Sequence, residues 1–430
     1  MLTRLLLRFS ALGLKFALAI VVARTLGFDA IAAYGLAVAA SVIASKVLGL
    51  GFSPELNRRL SEANPLPAIG NLRRLCVVYG VLYLLLATAL AVATLNDAPA
   101  ALLARFGLPA PLAWSVLLVA LSEHAAFEVN GWLFSLHQPR AASFLLFVRT
   151  GAWAGIACAG LLTGVVPSID TVFAIWVVTN AFAVVASLRR IGAFAHRARS
   201  IRFPAGAVDP GGVFPVWFHG LPFYAAGVLL AALQYAERFI AGSQVSVNAL
   251  GQYVFAWSIA NAVQTVAFAT VVATAGPRFV RTLADTPGAL LRQVRRAAAA
   301  SAAVTLLVSA AIAVVYRDLS AFAHEPADAG HAALLAVLLA SFVLRAAADV
   351  LWAAAIALRG GAVVLAALTA IALLYLPIAS QLIAREGVMG AALAHLATSV
   401  AVAAMLALSV VRLARRHRHA VPATEPHHAG

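Results

Sequence analysis

Residues 13–41 read GLKFALAIVVARTLGFDAIAAYGLAVAAS. Two apolar runs meet at Arg24-Thr25-Leu26-Gly27-Phe28-Asp29. Each run approaches the roughly 20 residues a helix needs to cross a hydrocarbon layer ~30 Å thick. The stretch reads as a hairpin of two membrane spans. Lys15 interrupts the first run, which argues for an uncleaved span rather than a signal peptide.

The same pattern continues outward. With 63% hydrophobic residues, 11% charged residues and a mean hydropathy of +0.94, the 430-residue chain has too little polar surface to coat a soluble globule. Lipid must cover much of it. The apolar segments predict an all-α integral membrane protein of about twelve spans: 5–24, 32–52, 75–95, 112–136, 144–164, 169–188, 216–239, 249–276, 297–316, 331–357, 362–383 and 388–410.

Charge sorting orients these spans. Alternate gaps hold Arg4 and Arg8, then Arg58, Arg59, Arg73 and Arg74, then Arg140, then Arg189, Arg190, Arg197, Arg199 and Arg202. The series resumes with Arg278, Arg281, Arg292, Arg295 and Arg296, then Arg359, then Arg412, Arg415, Arg416 and Arg418; Glu55, Glu62, Asp209, Asp285 and Glu425 are the acids on this side. In the intervening gaps acids outnumber Arg24, Arg105, Arg238, Arg317 and Arg385. The bias places both termini in the cytoplasm. Because the arginines are divided among short loops, no nucleic-acid surface is expected. Cys76 and Cys158 fall inside apolar spans and suggest neither a disulfide nor a metal site.

Residues 189–215 are basic and carry Pro204, Pro210, Gly206, Gly211 and Gly212, so they read as a cytoplasmic linker between a six-span lobe at 1–188 and a second at 216–410. Residues 411–430, with His417, His419, His427 and His428, read as a solvated basic tail. The halves look like repeats. Ala30 and Tyr34 match Ala249 and Tyr253; Pro54, Arg58 and Leu60 match Pro277, Arg281 and Leu283; His124 and Glu128 match Arg345 and Asp349, all at nearly one offset. Even span numbers make the repeat parallel, with a pseudo-twofold axis along the membrane normal.

An ion in mid-bilayer must pair, snorkel or face a watery cavity, so the intramembrane charges are the functional candidates. His124 and Glu128, like Arg345 and Asp349, stand four apart on one helical face. Each is read either as a locking pair or as the lining of a shared cavity. Glu123 has only His124 as a local partner and is the first candidate for ion coupling. Lys15, Lys46, Arg149 and Arg345 are the cations that would make a cavity suited to a phosphate-bearing or acidic substrate. Snorkelling is the alternative for Lys46 and Arg149. Glu237 and Arg238 read as an interfacial or gate pair, and His219 and His395 as packing residues. There is no Walker loop, zinc-ligand spacing or nucleophile elbow, so neither an enzyme nor a bound cofactor is expected.

The opening stretch resembles the first hairpin of polysaccharide flippases of the multidrug/oligosaccharidyl-lipid/polysaccharide exporter superfamily, with Ala23, Arg24, Leu26, Gly27, Tyr34 and Gly35 at the matching positions. A second stretch, AERFIAGSQVSVNALGQYVFAWSIANAV, is similar to that family's seventh and eighth spans; Glu237 and Arg238 match its acidic-Arg pair, and Ile240, Ala241 and Gly242 its turn. The resemblance implies two lobes in a V and alternating access. It also implies transport of an undecaprenyl-pyrophosphate-linked oligosaccharide across the bacterial inner membrane, coupled to H+ or Na+, for O-antigen or exopolysaccharide synthesis. Partners would be that lipid-linked oligosaccharide, membrane lipids, a polysaccharide polymerase and a chain-length regulator. The rivals are a drug or cation antiporter of the same superfamily and a membrane polysaccharide polymerase, which would usually carry a sizeable outer loop.

Overall fold

The computed structural model describes residues 2–62, 64–198, 213–325 and 328–420, and these fold into helices joined by short turns. Much of the linker, with Arg199, Arg202 and Asp209, and the end of the tail, with Glu425, His427 and His428, lie outside the described residues. The side chains of Arg4, Arg8, His219, Arg418 and His419 do as well.

The helices are α1 (Leu2–Leu26), α2 (Phe28–Val47), α3 (Ser53–Leu60), α4 (Leu66–Leu95), α5 (Asp97–Arg105), α6 (Ala110–Ser135), α7 (Pro139–Phe147), α8 (Trp153–Leu162) and α9 (Ile169–Ala198). The second half has α10 (Val213–Gly242), α11 (Val247–Ala267), α12 (Ala273–Asp285), α13 (Leu290–Phe322), α14 (Ala329–Ala357) and α15 (Gly361–Ala420). Among the described residues, ten helical segments are long and apolar enough to cross a bilayer.

Three departures from the sequence expectation have local causes. The span placed at 32–52 runs from Phe28 to Val47, because Leu50 and Gly51 turn with positive φ and Pro54 sits in the first turn of the separate helix α3. The gap between 383 and 388 is no loop; α15 runs through it with a sharp break at Gly387 (φ 58°, ψ −131°). Two long helices are interrupted by π turns: Val148–Ala152 joins α7 to α8, and Phe268–Val272 joins α11 to α12. An extra residue in a helical turn rotates the side chains beyond it, and the first of these turns carries Arg149.

One core combines both halves of the chain, drawing on α1, α2, α8 and α9 from the first and on α11 and α14 from the second. Two further cores stay within one half each. The central seam is α2 against α11, and glycine makes it possible. A Cβ on Gly251 would lie 1.9 Å from the Phe28 carbonyl oxygen, and one on Gly35 would lie 2.4 Å from Val254. Gly27, alone between α1 and α2 with φ 84° and ψ 178°, adopts a conformation open in practice only to glycine.

The bundle is closed where α1 meets α2. Arg24 Nη1 donates to the Phe322 carbonyl at 3.0 Å, with the guanidinium 4.2 Å above the Phe322 ring. Phe28 meets Phe255 edge-on at 5.8 Å. At the opposite end the described residues tie α10 to α2. There the start of α10 grips the turn after α2: Trp217 Nε1 donates to the Leu50 carbonyl at 2.7 Å and stacks on Phe52, and the Tyr224 hydroxyl donates to the Val47 carbonyl at 2.5 Å.

Gly251→Ala forces α2 and α11 apart and should cost about 1–3 kcal/mol. Gly70→Ala, on a helix with nothing within 4 Å of the new Cβ, should be neutral or slightly stabilising. Thermal unfolding in detergent measures both.

A pH effect arises at the closed end. Glu325, in the connection after α13, is buried with His331 Nε2 4.0 Å away, and burial pushes its carboxyl up to about 7. A carboxyl raised in the folded state stabilises it below the unfolded value near 4.5 and loses that contribution as pH rises through about 7. The thermal midpoint should therefore fall between pH 5 and 8, and Glu325→Gln should flatten that slope.

Candidate functional site

Between the halves lies a cavity of about 600 Å³, walled by α1, α2, α6, α9, α10, α11 and the π turn after α7. It runs from Tyr34, Gly35 and Arg238, near the α2–α11 seam, towards Phe9, Lys46 and Val266 at the end where α1 begins. Among the described residues four cations line it, Lys15, Lys46, Arg149 and Arg238, against one carboxylate, Glu123.

Each cation is held differently. The π turn carries Arg149 into the interior, where it forms a short ion pair with Glu123. The other Glu123 oxygen, Oε2, accepts from Trp176 Nε1 at 3.1 Å and from Asn180 Nδ2 at 3.0 Å. Glu123 therefore does not depend on His124, as its sequence neighbourhood suggested. Consecutive residues on a helix point about 100° apart, and packing supplies a partner 26 positions away. Arg149 does not snorkel; it is 7% exposed.

Lys15, half-buried, has no carboxylate within 4 Å among the described residues. Its ammonium lies 5.9 Å from the Trp153 ring and 5.7 Å from the Trp176 ring, which stack on each other at 4.3 Å. Aromatic faces orient a cation without neutralising it. Lys46 is exposed at the mouth.

Arg238 reaches the same cavity from the second half. It donates through Nη1 to the Gly35 carbonyl at 2.6 Å, and its guanidinium lies 3.9 Å over Trp257. Its Nε and Nη2 have no hydrogen-bond partner among the described residues. Glu237, next in the chain, points elsewhere and accepts from the Tyr253 hydroxyl at 3.2 Å. The two therefore make no direct pair.

Arg345 does not line the cavity. It is buried within the second half, donating from Nε to Ser399 Oγ at 2.9 Å and from Nη2 to the Leu233 carbonyl at 3.2 Å. Asp349 turns from it to Gln264, whose Nε2 donates at 2.8 Å. His124 and Glu128 also sit behind the cavity wall, 3.9 Å apart. Ser53 Oγ donates to Glu128 Oε1 at 2.6 Å, and Tyr83 bonds His124 Nδ1. Each half thus carries a buried polar cluster outside the shared cavity.

Trp176, Trp257 and Asn180 were not singled out from the sequence. A signal existed: tryptophan belongs to the membrane interfaces, and Trp153, Trp176 and Trp257 fall well inside apolar spans.

Breaking the central ion pair should be costly. Glu123→Gln or Arg149→Gln alone should each lose about 3–5 kcal/mol by leaving a buried charge unpaired, and the double substitution should recover most of it. Detergent unfolding of the three variants provides the comparison.

No protein-family model and no curated protein matches the chain. Solved structures do. The inward-facing form of a multidrug resistance MATE family transporter of the MOP superfamily aligns with a TM-score of 0.67 and 15% identity, over 97% of this chain and 99% of that one. The lipid II flippase MurJ, in an inward closed conformation, aligns at 0.65 and 9% identity, over 97% and 91%. The outward-facing form of a MATE family transporter gives 0.60 and 16%, over 97% and 95%. At these identities the likeness is one of fold.

Proposed function

We propose that the chain is a membrane transporter of this fold, not an enzyme. It moves an anionic, lipid-linked oligosaccharide from the inner to the outer leaflet of a bacterial cytoplasmic membrane by alternating access, in O-antigen or exopolysaccharide synthesis. The observation that carries the reading is the shared cavity, lined among the described residues by four cations against one carboxylate. A pyrophosphate-linked substrate supplies the missing negative charge, and the free nitrogens of Arg238 together with the Lys15 ammonium would grip it.

On this reading α10 is a span and Gly361–Ala420 is two spans divided at Gly387, which makes twelve. They form six-helix lobes at 1–188 and 216–410, with both termini cytoplasmic. With the termini on that side, closure at Arg24–Phe322 and opening at Lys46 support reading this as an inward-open arrangement. Coupling to H+ or Na+ falls to the carboxylates behind the wall, since Glu123 is already bound to Arg149. Glu128 and Glu237 each keep one oxygen without a protein partner among the described residues, and Asp349 is held only by Gln264.

The antiporter alternative rests on the drug transporters that share the fold. A net-positive cavity repels cationic drugs, which favours the anionic substrate.

Removing the gene should accumulate lipid-linked oligosaccharide on the cytoplasmic leaflet. Unpolymerised units on the outer leaflet would instead identify a polymerase. Lys15→Gln should lower flipping at least about tenfold with unchanged membrane abundance, as expected for one charge-assisted contact to phosphate. Arg345→Gln should act through lost stability instead, because its side chain never reaches the cavity.

A further inference from the structure

A second cavity, of about 680 Å³, lies on the flank of the second half where α13 begins and α15 ends. Its wall is apolar, formed by Leu291 and Val294 of α13, Leu351 of α14, and Ala407 and Val410 of α15. Two arginines, Arg295 and Arg415, complete it. Both are exposed, and neither has a carboxylate within 4 Å among the described residues. Positive charge dominates the two helices that carry these arginines. No acidic residue occurs in α13 before Asp318 or in α15 beyond Glu386, while Arg292, Arg296, Arg412 and Arg416 add further positive charge.

Charge alone would suit any anion, but the wall narrows the choice. Leu408, beside Ala407 on α15, is 59% exposed, and Leu306 and Leu307 further along α13 are 59% and 73% exposed. The cleft is therefore continuous with a lipid-facing surface. A soluble anion would leave the half-buried Leu291, Leu351 and Val411 along the cleft uncovered; an acyl chain covers them.

We propose that this cleft is a binding site for an anionic phospholipid of the surrounding leaflet, its phosphate held by Arg295 and Arg415 and its acyl chain laid against the α13–α15 wall. A guanidinium grips phosphate oxygens through two parallel hydrogen bonds, and two guanidiniums at one apolar cleft favour a lipid with two phosphates. Basic pockets between spans are a recurrent setting for such headgroups. The site is separate from the central cavity and shares no residue with it. It stands whether or not the transported substrate is the one proposed above.

The test is native mass spectrometry of the full chain released from detergent with tetraoleoyl cardiolipin or dioleoyl phosphatidylethanolamine. The wild-type chain should retain cardiolipin selectively. The double variant Arg295→Gln/Arg415→Gln should lose roughly 20-fold or more of that affinity, from two charges contributing about fivefold each. Arg292→Gln/Arg412→Gln removes the same charge outside the cleft and should retain it. Unchanged retention by the first variant, equal loss in the second, or equal retention of phosphatidylethanolamine each overturns the proposal. The replaced side chains are exposed, so folding should survive, and the thermal midpoint checks it. Should the glutamine pair not fold, Arg295→Lys/Arg415→Lys keeps the charge but not the fork. It should then bind several-fold more weakly than wild type, and undiminished binding overturns the two-fork geometry.

Discussion

A cation in a hydrocarbon layer must find a carboxylate, a carbonyl, an aromatic face or water, and the interior of this protein is organised by which of these each one finds. Arg149 finds Glu123, Arg238 finds the Gly35 carbonyl and the Trp257 face, and Lys15 finds two stacked tryptophans. Only the first of these neutralises charge. The remaining positive field sits in a cavity between the halves, while Arg345 is buried outside it, its Nε on the Ser399 hydroxyl and its Nη2 on the Leu233 carbonyl.

The cavity exists because the halves touch unequally. Gly35 and Gly251 bring α2 and α11 into backbone contact near the α1–α2 turn, and Arg24 clamps the same end over Phe322. Towards the other end the helices diverge, and Trp217 and Tyr224 bind the α2 side. The mouth is flanked by α1 and α11, whose Phe9, Phe16, Ala262 and Val266 line it. Arg238 joins the two patterns. It lines the cavity and bonds the backbone of α2 across the seam, so a ligand that engages its free nitrogens also touches the contact that must break if the halves rock.

Much of the fold was legible in the sequence because its signals are local. A run of about 20 apolar residues is a span wherever it sits: the expected segments at 112–136 and 331–357 lie on α6 and α14 almost residue for residue, and that at 169–188 begins with α9, which runs on to Ala198. Errors fell where a few residues decide geometry. Leu50, Gly51 and Pro54 cut a long span short, and Gly387 replaced a loop by a break. Of the candidate cations, Lys15, Lys46 and Arg149 meet in one cavity; Arg345, equally well placed by depth and type, does not.

By itself the sequence determined that this chain lives in a membrane, as a helical bundle with charges too deep to be accidental, because hydrophobic length and charge position are properties of single segments. Only the tertiary structure decided which charge meets which. The Glu123–Arg149 pair, the Arg238–Gly35 bond and the exclusion of Arg345 depend on helix rotation, set by glycine contacts and a π turn. The physical reason is range: apolar burial is read one residue at a time, whereas the partner of a buried ion is chosen by packing between segments far apart in the chain.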